Sequence, residues 1–331
     1  MENSDSVFIG VHHVGLTVTD ADAARRFYST AAAFEDAPDL DQRLMPGTPD
    51  VGVGKFMRGV NANLRIIKAQ PSSGMIARAA GQRPVSEAGI THVCLQSTRL
   101  DALYKNFQSA GATFHAPPVD LGTGFLYSYA RDFEANVVEL EGTAPVWDDP
   151  TPWLAHVSFS SADRDRLTNF YATLLGQSAI KSSRLGPNSK LDLVSGLAGT
   201  EFMAAWIPAG NMQVEVIQYL QPPTLARTDA QPANTPGYQY LCFEVTDVAV
   251  AAARARDAGA TQSDDMAAMS GRNQYHCTDP DGNRLVLMAL DATDSDLSIN
   301  ALSDPGITAR LLALREASRS SKFSKQKASS L

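Results

Sequence analysis

The chain has 331 residues, 44% of them hydrophobic, and a formal net charge of -8. That is enough apolar chain for two ordinary cores, while no run approaches the roughly 20 apolar residues that span a bilayer. A net negative chain without a basic stripe interleaved with aromatics does not suit a phosphate backbone. The first residues, Met1-Glu2-Asn3-Ser4-Asp5, carry neither the basic nor the apolar part of an export signal, and the three cysteines read as buried thiols in a reducing compartment. A cytoplasmic protein is expected.

In chain order, His13-Val14-Gly15-Leu16-Thr17-Val18 alternates as a strand and is followed by a helical segment carrying Phe27-Tyr28 and by a strand, Asn63-Leu64-Arg65-Ile66-Ile67. A Pro/Ser/Ala-rich connector from Pro71 to Gly89 leads to a second copy, which opens on His92-Val93-Cys94-Leu95. Its helix ends at Ala110-Gly111-Ala112-Thr113, where the glycine suits a left-handed cap, and the turn 131–136 precedes the strand Val137-Val138-Glu139-Leu140. Residues 143–152, rich in proline and aspartate, form a joint. The third copy carries His156-Val157-Ser158-Phe159, Phe170-Tyr171 and Gln213-Val214-Glu215-Val216-Ile217. After a connector from Gln221 to Gly237, the fourth has Tyr240-Leu241-Cys242-Phe243, Ala258-Gly259-Ala260-Thr261, the turn Asp279-Pro280-Asp281-Gly282-Asn283 and the strand Leu285-Val286-Leu287-Met288. Residues 306–318 predict a terminal helix with Ile307, Leu311, Leu312 and Leu314 on one side, and the Ser/Lys-rich end from Ser318 reads as a flexible tail.

His13 and His156 are separated by the same number of residues as Phe27 and Phe170, and His92 and Tyr240 by the same number as Ala110 and Ala258. Equal offsets over such distances indicate duplication of a two-unit block. Each unit reads as strand, helix, then three strands. Alternation puts His13, Gly15 and Thr17 on one face, with His92, Cys94 and Gln96, and His156, Ser158 and Ser160, in the same register; His12 falls on the opposite face. Small and polar residues there leave room for a ligand. In the last strands, Glu139 aligns with Val286 and Glu215 with Arg65.

On these repeats the chain resembles the vicinal oxygen chelate superfamily, which includes glyoxalase I, methylmalonyl-CoA epimerase, extradiol dioxygenases and the fosfomycin- and bleomycin-resistance proteins. The resemblance covers roughly residues 8 to 292. It implies an α+β fold of four βαβββ modules paired into two half-open mixed β-barrels with helices outside. Ligands there open the first strand of a unit or lie in its last strand. Pairing consecutive units gives an N-terminal barrel over 8–142, a linker over 143–152, a C-terminal barrel over 153–292 and a terminal helix and tail over 293–331.

That pairing makes His13, His92 and Glu139 the metal ligands, with Arg65 in the fourth place, and leaves His156 and Glu215 facing Tyr240 and Val286 as a degenerate site. Two imidazoles and one carboxylate suit one divalent ion per chain, Fe(II) favoured and Mn(II) or Zn(II) alternatives, with positions open for substrate. No other cofactor is expected. The bland alternative for the histidines is a hydrogen bond to backbone; for His156 and Glu215 it is a buried hydrogen-bonded pair. Three further residues are candidates for the chemistry. Arg65 is a strand-end ion-pair partner or, turned inward, a cationic fork for a substrate oxygen. Tyr129 stands where extradiol dioxygenases carry a substrate-binding tyrosine, or it fills a core. His115 is a proton carrier near the barrel mouth, or a solvated loop residue.

The leading expectation is an Fe(II) extradiol-like dioxygenase acting on a small aromatic or diol-like substrate. Its alternatives are a glyoxalase- or epimerase-like isomerase or lyase, and a non-catalytic binding protein of the bleomycin-resistance kind. The sequence departs from ring-cleaving relatives in the turn before Glu139 and in having Asp120 near an expected histidine. The partner is a small molecule, with no nucleic acid and no membrane; a homodimer is the other way of closing barrels of this kind.

Overall fold

A computed structural model describes residues 6–44, 54–69, 83–143, 151–226, 235–263 and 273–328, with side chains to residue 317. The first unit comprises β1 (Phe8–Val18), α1 (Ala21–Ala32), β2 (Glu35–Asp36), α2 (Pro38–Leu44), β3 (Gly54–Arg58) and β4 (Asn63–Lys68). The second comprises β5 (Gly89–Ser97), α3 (Leu100–Ser109), β6 (Thr113–Phe114), β7 (Val119–Asp120), β8 (Leu126–Arg131) and β9 (Val137–Gly142). The third runs β10 (Trp153–Ser160), α4 (Arg164–Leu175), β11 (Ile180–Lys181), α5 (Ser189–Ser195), β12 (Glu201–Pro208) and β13 (Gln213–Gln221). The fourth is β14 (Gly237–Val245), α6 (Val248–Ala258), β15 (Thr261–Gln262), β16 (Gln274–Thr278) and β17 (Arg284–Met288). Two short 3-10 turns and α7 (Ile307–Ala328) follow. No described helix is long and apolar enough to cross a membrane.

The helices begin where the sequence provides a side-chain acceptor: Asp20, Asp163 and Asp247 each accept from the first-turn amides of α1, α4 and α6. Gly259 ends α6 at φ 106, a conformation that a Cβ would strain. Most of the joint between the halves, 144–150, lies outside the described residues. The α7 backbone is helical to Ala328, over a stretch with neither glycine nor proline and rich in Ala, Leu, Arg and Lys.

Among the described residues the strands form two open mixed sheets, ordered β15-β16-β17-β14-β1-β4-β3-β2 and β11-β12-β13-β10-β5-β9-β8-β6. Neither closes. Within each unit the first and last long strands are parallel, and the units join through antiparallel pairs, β1 with β14 and β5 with β10. The first unit therefore pairs with the fourth and the second with the third, across the halves. This corrects the expected N-terminal barrel of consecutive units.

The physical reason lies in the helix layer. Consecutive units meet through their helices, α1 on α3 and α4 on α6, with Phe27 and Phe107 edge to face at 5.6 Å. The Phe-Tyr pair of the odd helices locks this arrangement. The Tyr28 hydroxyl donates to Asp132 at 3.0 Å and that of Tyr171 to Asp279 at 2.9 Å, and each aspartate also accepts two backbone amides of its own turn. Glu134 in the same turn accepts from the amides of Thr19 and Asp20 at the start of α1. With their helices clamped together, the first strands of consecutive units cannot also meet edge to edge.

The four helices and the sheet faces turned toward them share one core, from Val14, Phe27, Tyr28 and Phe107 to Phe170, Tyr171, Leu241 and Leu285. Both first strands of the odd units carry a bulge, at Val11/His13 and at Leu154/His156. Asn211 closes the first, accepting from Val11 N and donating to Val11 O; Asn61 does the same at Leu154. The bulges matter because they break the alternation at the residue before each histidine.

Candidate metal centre

Strands β13, β10, β5 and β9 lie side by side, and each turns one potential ligand toward the same point. Register places His156 opposite Cys94, Ser158 opposite His92, Glu215 beside Ser158 and Glu139 beside Cys94. One donor atom from each of His92, Glu139, His156 and Glu215 lies within 4.8 Å of all the others, and all four residues are buried. The Nε2 of His92 stands 3.4 Å from Glu139 Oε2 and 3.6 Å from Glu215 Oε2; that of His156 stands 2.8 and 3.4 Å from the same atoms.

These side chains fit a divalent ion. Donors held about 2.1 Å from a common centre stand about 3.0 Å apart at right angles and about 3.4 Å apart at tetrahedral angles, the range just described. Outside the cluster itself, His92 Nε2, His156 Nε2 and Glu215 Oε2 have no hydrogen-bond partner although buried, so these atoms face only one another and the point between them. The tautomer of His92 is prepared as well. Thr91 Oγ1 donates to Ser158 O and stands 3.2 Å from His92 Nδ1, so it accepts there and leaves the Nε2 lone pair free.

The charges answer one another in the metal-free cluster. Burial pulls His156 down, but Glu215 and Glu139 outweigh it and raise it to about 9; His92 is raised against burial by the same two carboxylates. Burial opposes the charge on Glu139, yet His156 and His92 hold it well below the usual carboxylate range. Burial and then the charge of Glu139 push Glu141, two residues on, up to about 7.

The structure thus brings together two of the three expected ligands, His92 and Glu139, and joins them to His156 and Glu215, the pair expected to be degenerate. His13 is placed elsewhere. It lies on β1 in the other sheet, in a cleft lined by Phe56, Tyr240, Cys242, Val286 and Leu297. There a hydrogen-bond chain uses every imidazole nitrogen. The Leu297 carbonyl only accepts, so His12 Nε2 donates to it at 3.2 Å; His12 Nδ1 then accepts from His13 Nδ1 at 2.8 Å. His13 Nε2 is left to accept from the Tyr240 hydroxyl at 2.9 Å, whose oxygen accepts from Arg65 at 3.1 Å. Burial, aided by Arg58, lowers His12 to about 4; burial, His12 and Arg65 hold His13 well below its usual range. A cation has no free lone pair there, and it would face a guanidinium.

Three other expectations change with this placement. His12 is not on the opposite face: the bulge at Val11/His13 turns its ring onto that of His13, and it is fully buried. Arg65 belongs to the filled cleft and does not face the four ligands, because β4 pairs with β1. His115 is half-buried, and both its ring nitrogens are engaged. Its Nδ1 donates to Val194 O at 3.0 Å and its Nε2 accepts from Arg131 Nε at 2.9 Å, which fixes a neutral tautomer between α5 and β8. Burial, then Arg131, lowers its pKa accordingly. Tyr129 does stand at the site: it lies opposite Glu139 on β8, with its ring 5.0 Å from that of His92. Tyr219 and Ile217 continue this wall.

His156 and Glu215 were visible in the sequence but assigned to the wrong partners. The available signal was complementarity, since pairing the second and third units leaves no misfit in the donor set, whereas any set containing Arg65 has a cation among the ligands.

A four-donor His/Glu cluster at the seam of two βαβββ units defines a protein of the vicinal oxygen chelate type. The family model described as Glyoxalase/Bleomycin resistance protein/Dioxygenase superfamily matches residues 10–140 and, in a second form, 155–278. The chain belongs to that superfamily. No curated protein matches it in sequence. Among solved structures it is similar to glyoxalase I from Zea mays, with 18% identity and a TM-score of 0.56 over 89% of this chain and 96% of that one. It is also similar to a putative dioxygenase from Bacillus subtilis, with 10% identity and a TM-score of 0.53 over 90% of this chain and 91% of that one. At these identities the likeness is one of fold.

Proposed function

We propose that this protein is a metal-dependent isomerase or lyase that moves a proton beside the carbonyl of a small-molecule substrate. The observation that carries the reading is the convergence of His92, Glu139, His156 and Glu215, two imidazoles and two carboxylates from four strands. A divalent first-row ion held by them would polarise a carbonyl oxygen and acidify the adjacent C–H. Glu139 and Glu215 flank the histidines from the outer strands, so a carboxylate oxygen of either can take a proton from one carbon and return it to its neighbour. Tyr129, Tyr219 and Ile217 form the wall that keeps water from that carbon.

The expected ring-cleaving oxygenase agrees less well with this donor set. That chemistry uses three facial ligands so that a chelating diol and dioxygen have places together; a fourth protein donor leaves two positions on an octahedral ion, enough for a chelating substrate alone. The units pair within one chain, so neither cleft needs a second copy to complete it.

The test combines metal analysis with two assays on the holoprotein. One ion per chain is expected, with chelator-sensitive exchange of solvent deuterium into a 2-oxoaldehyde hemithioacetal or an acyl-CoA. Oxygen consumption with catechols and no exchange would replace this reading with an oxygenase. Ligand binding indifferent to chelator would replace it with a binding protein.

A further inference from the structure

Two residues beyond Glu139, on the same face of β9, stands a third carboxylate. Glu141 is 5% exposed and accepts hydrogen bonds from Gln96 Nε2 at 2.7 Å and from Cys94 Sγ at 3.5 Å. Among the described residues no lysine or arginine pairs with it. Gln96, itself 7% exposed, spends an amide N–H on Glu141, and its Oε1, on the same amide, has no partner. Donor atoms of Glu141, Cys94 and His156 lie within 4.8 Å of one another, so this pair adjoins the metal centre. Tyr127 lies across from Glu141, Trp153 lies across from Gln96, and Ile307 and Leu311 of α7 cover Trp153 and Cys94.

We propose that Glu141 and Gln96 form a subsite for a protonated amine, carried by the substrate on a short spacer from the carbonyl that faces His92, Glu139, His156 and Glu215. This rests on the metal reading above. Glu139 and Glu215 would be taken up by a divalent ion, whereas Glu141 and the unpartnered Oε1 of Gln96 beside it are left as two buried acceptors facing the same place. Buried acceptors without enough donors are costly, and among the described residues no lysine or arginine supplies them. An ammonium donates several hydrogen bonds in different directions, and so serves the carboxylate and the vacant amide oxygen at once. A hydroxyl, with one proton, serves a single acceptor, and an alkyl group would strip water from both.

The test uses the full-length protein loaded with Co(II), whose visible absorption reports both the metal and a chelating ligand. The probes are β-alanine hydroxamate and butyrohydroxamate, which share the chelating end and differ by ammonium against methyl at the other. The wild type is expected to bind the amine at least about tenfold more tightly. Glu141→Gln should bring the two affinities close to equality while butyrohydroxamate still binds as before, the check that the variant is folded and loaded. Gln96→Leu, which keeps the carboxylate, should lose part of the preference. Equal binding of the probes by the wild type, or an undiminished preference in Glu141→Gln, overturns the subsite alone. Absence of Co(II) bands overturns the metal reading and the subsite with it.

Discussion

Exchanging His13 and His156 in turn for glutamine decides between the two ways of pairing the units. His156 contributes one of four donors to the centre, whereas His13 lies in the other sheet with both ring nitrogens engaged. Four-ligand zinc sites release about 10–16 kcal/mol on binding, so one ligand carries about 3–4 kcal/mol, two to three decades in affinity. His156→Gln should therefore weaken Zn(II) binding by roughly a hundredfold to a thousandfold, while His13→Gln leaves it within about a factor of two. The assay is competition between apoprotein and a chromophoric chelator at fixed pH. Circular dichroism of each variant shows that the fold survives. If His13→Gln loses zinc as His156→Gln does, or if His156→Gln binds like wild type, the cross-half centre is refuted.

The pH dependence of binding follows from the same side chains. His156 has a pKa of about 9 without metal, so below that pH it releases a proton on binding, and affinity should fall about tenfold per unit as pH drops from 8 to 6. The raised pKa of His92 steepens the slope toward a second proton, and a flat profile in the competition assay would contradict the ligand set. In the filled cleft, His12 is lowered from 6.5 to about 4, so the unfolded chain takes up the proton first and stability is lost as pH falls from 6.5 toward 4. By pH 5 the loss is about 2 kcal/mol; urea unfolding should show wild type losing that much relative to His12→Gln between pH 7 and pH 5, and parallel curves would contradict a buried neutral imidazole. Tyr171→Phe removes one of the hydrogen bonds to the buried Asp279, already pushed up to about 6 by burial, and should cost about 1 kcal/mol in urea unfolding with zinc affinity unchanged. Tyr28→Phe should do the same through Asp132, and a neutral result at both would remove the clamp between consecutive units.

Much of the architecture was legible because it is periodic. The alternating strands after His13, His92, His156 and Tyr240, the helices with Phe27-Tyr28 and Phe170-Tyr171, and the turns at Asp132 and Asp279 all stand where the repeat puts them. The pairing of units was not legible from pattern. Every first strand has the same alternation and one edge left free by its own unit, so joining β1 to β5 or to β14 leaves each residue on its own face. Only chemistry distinguishes them: Arg65, Tyr240 and Val286, the three poor ligands, all fall in the first and fourth units. His12 was misplaced because alternation fails at a bulge, and the bulge is fixed by Asn211, some two hundred residues away. His115 could not be placed at all from local sequence, because its partners, Val194 and Arg131, come from two different units.

The two clefts divide labour that a single one could not perform. In the cleft between the first and fourth units, both histidines are satisfied and Phe56, Val286 and Leu297 pack around them. In the cleft between the second and third, two imidazoles and two carboxylates are buried with only one another as partners at their inward atoms, a burial of charge that is costly until an ion joins them. That cost bears on the whole molecule, because α1, α3, α4 and α6 join both sheets in one core. A duplicated framework can bear it. The cleft packed with apolar side chains is a stabilising body, against which the other can hold four polar side chains aimed at one point.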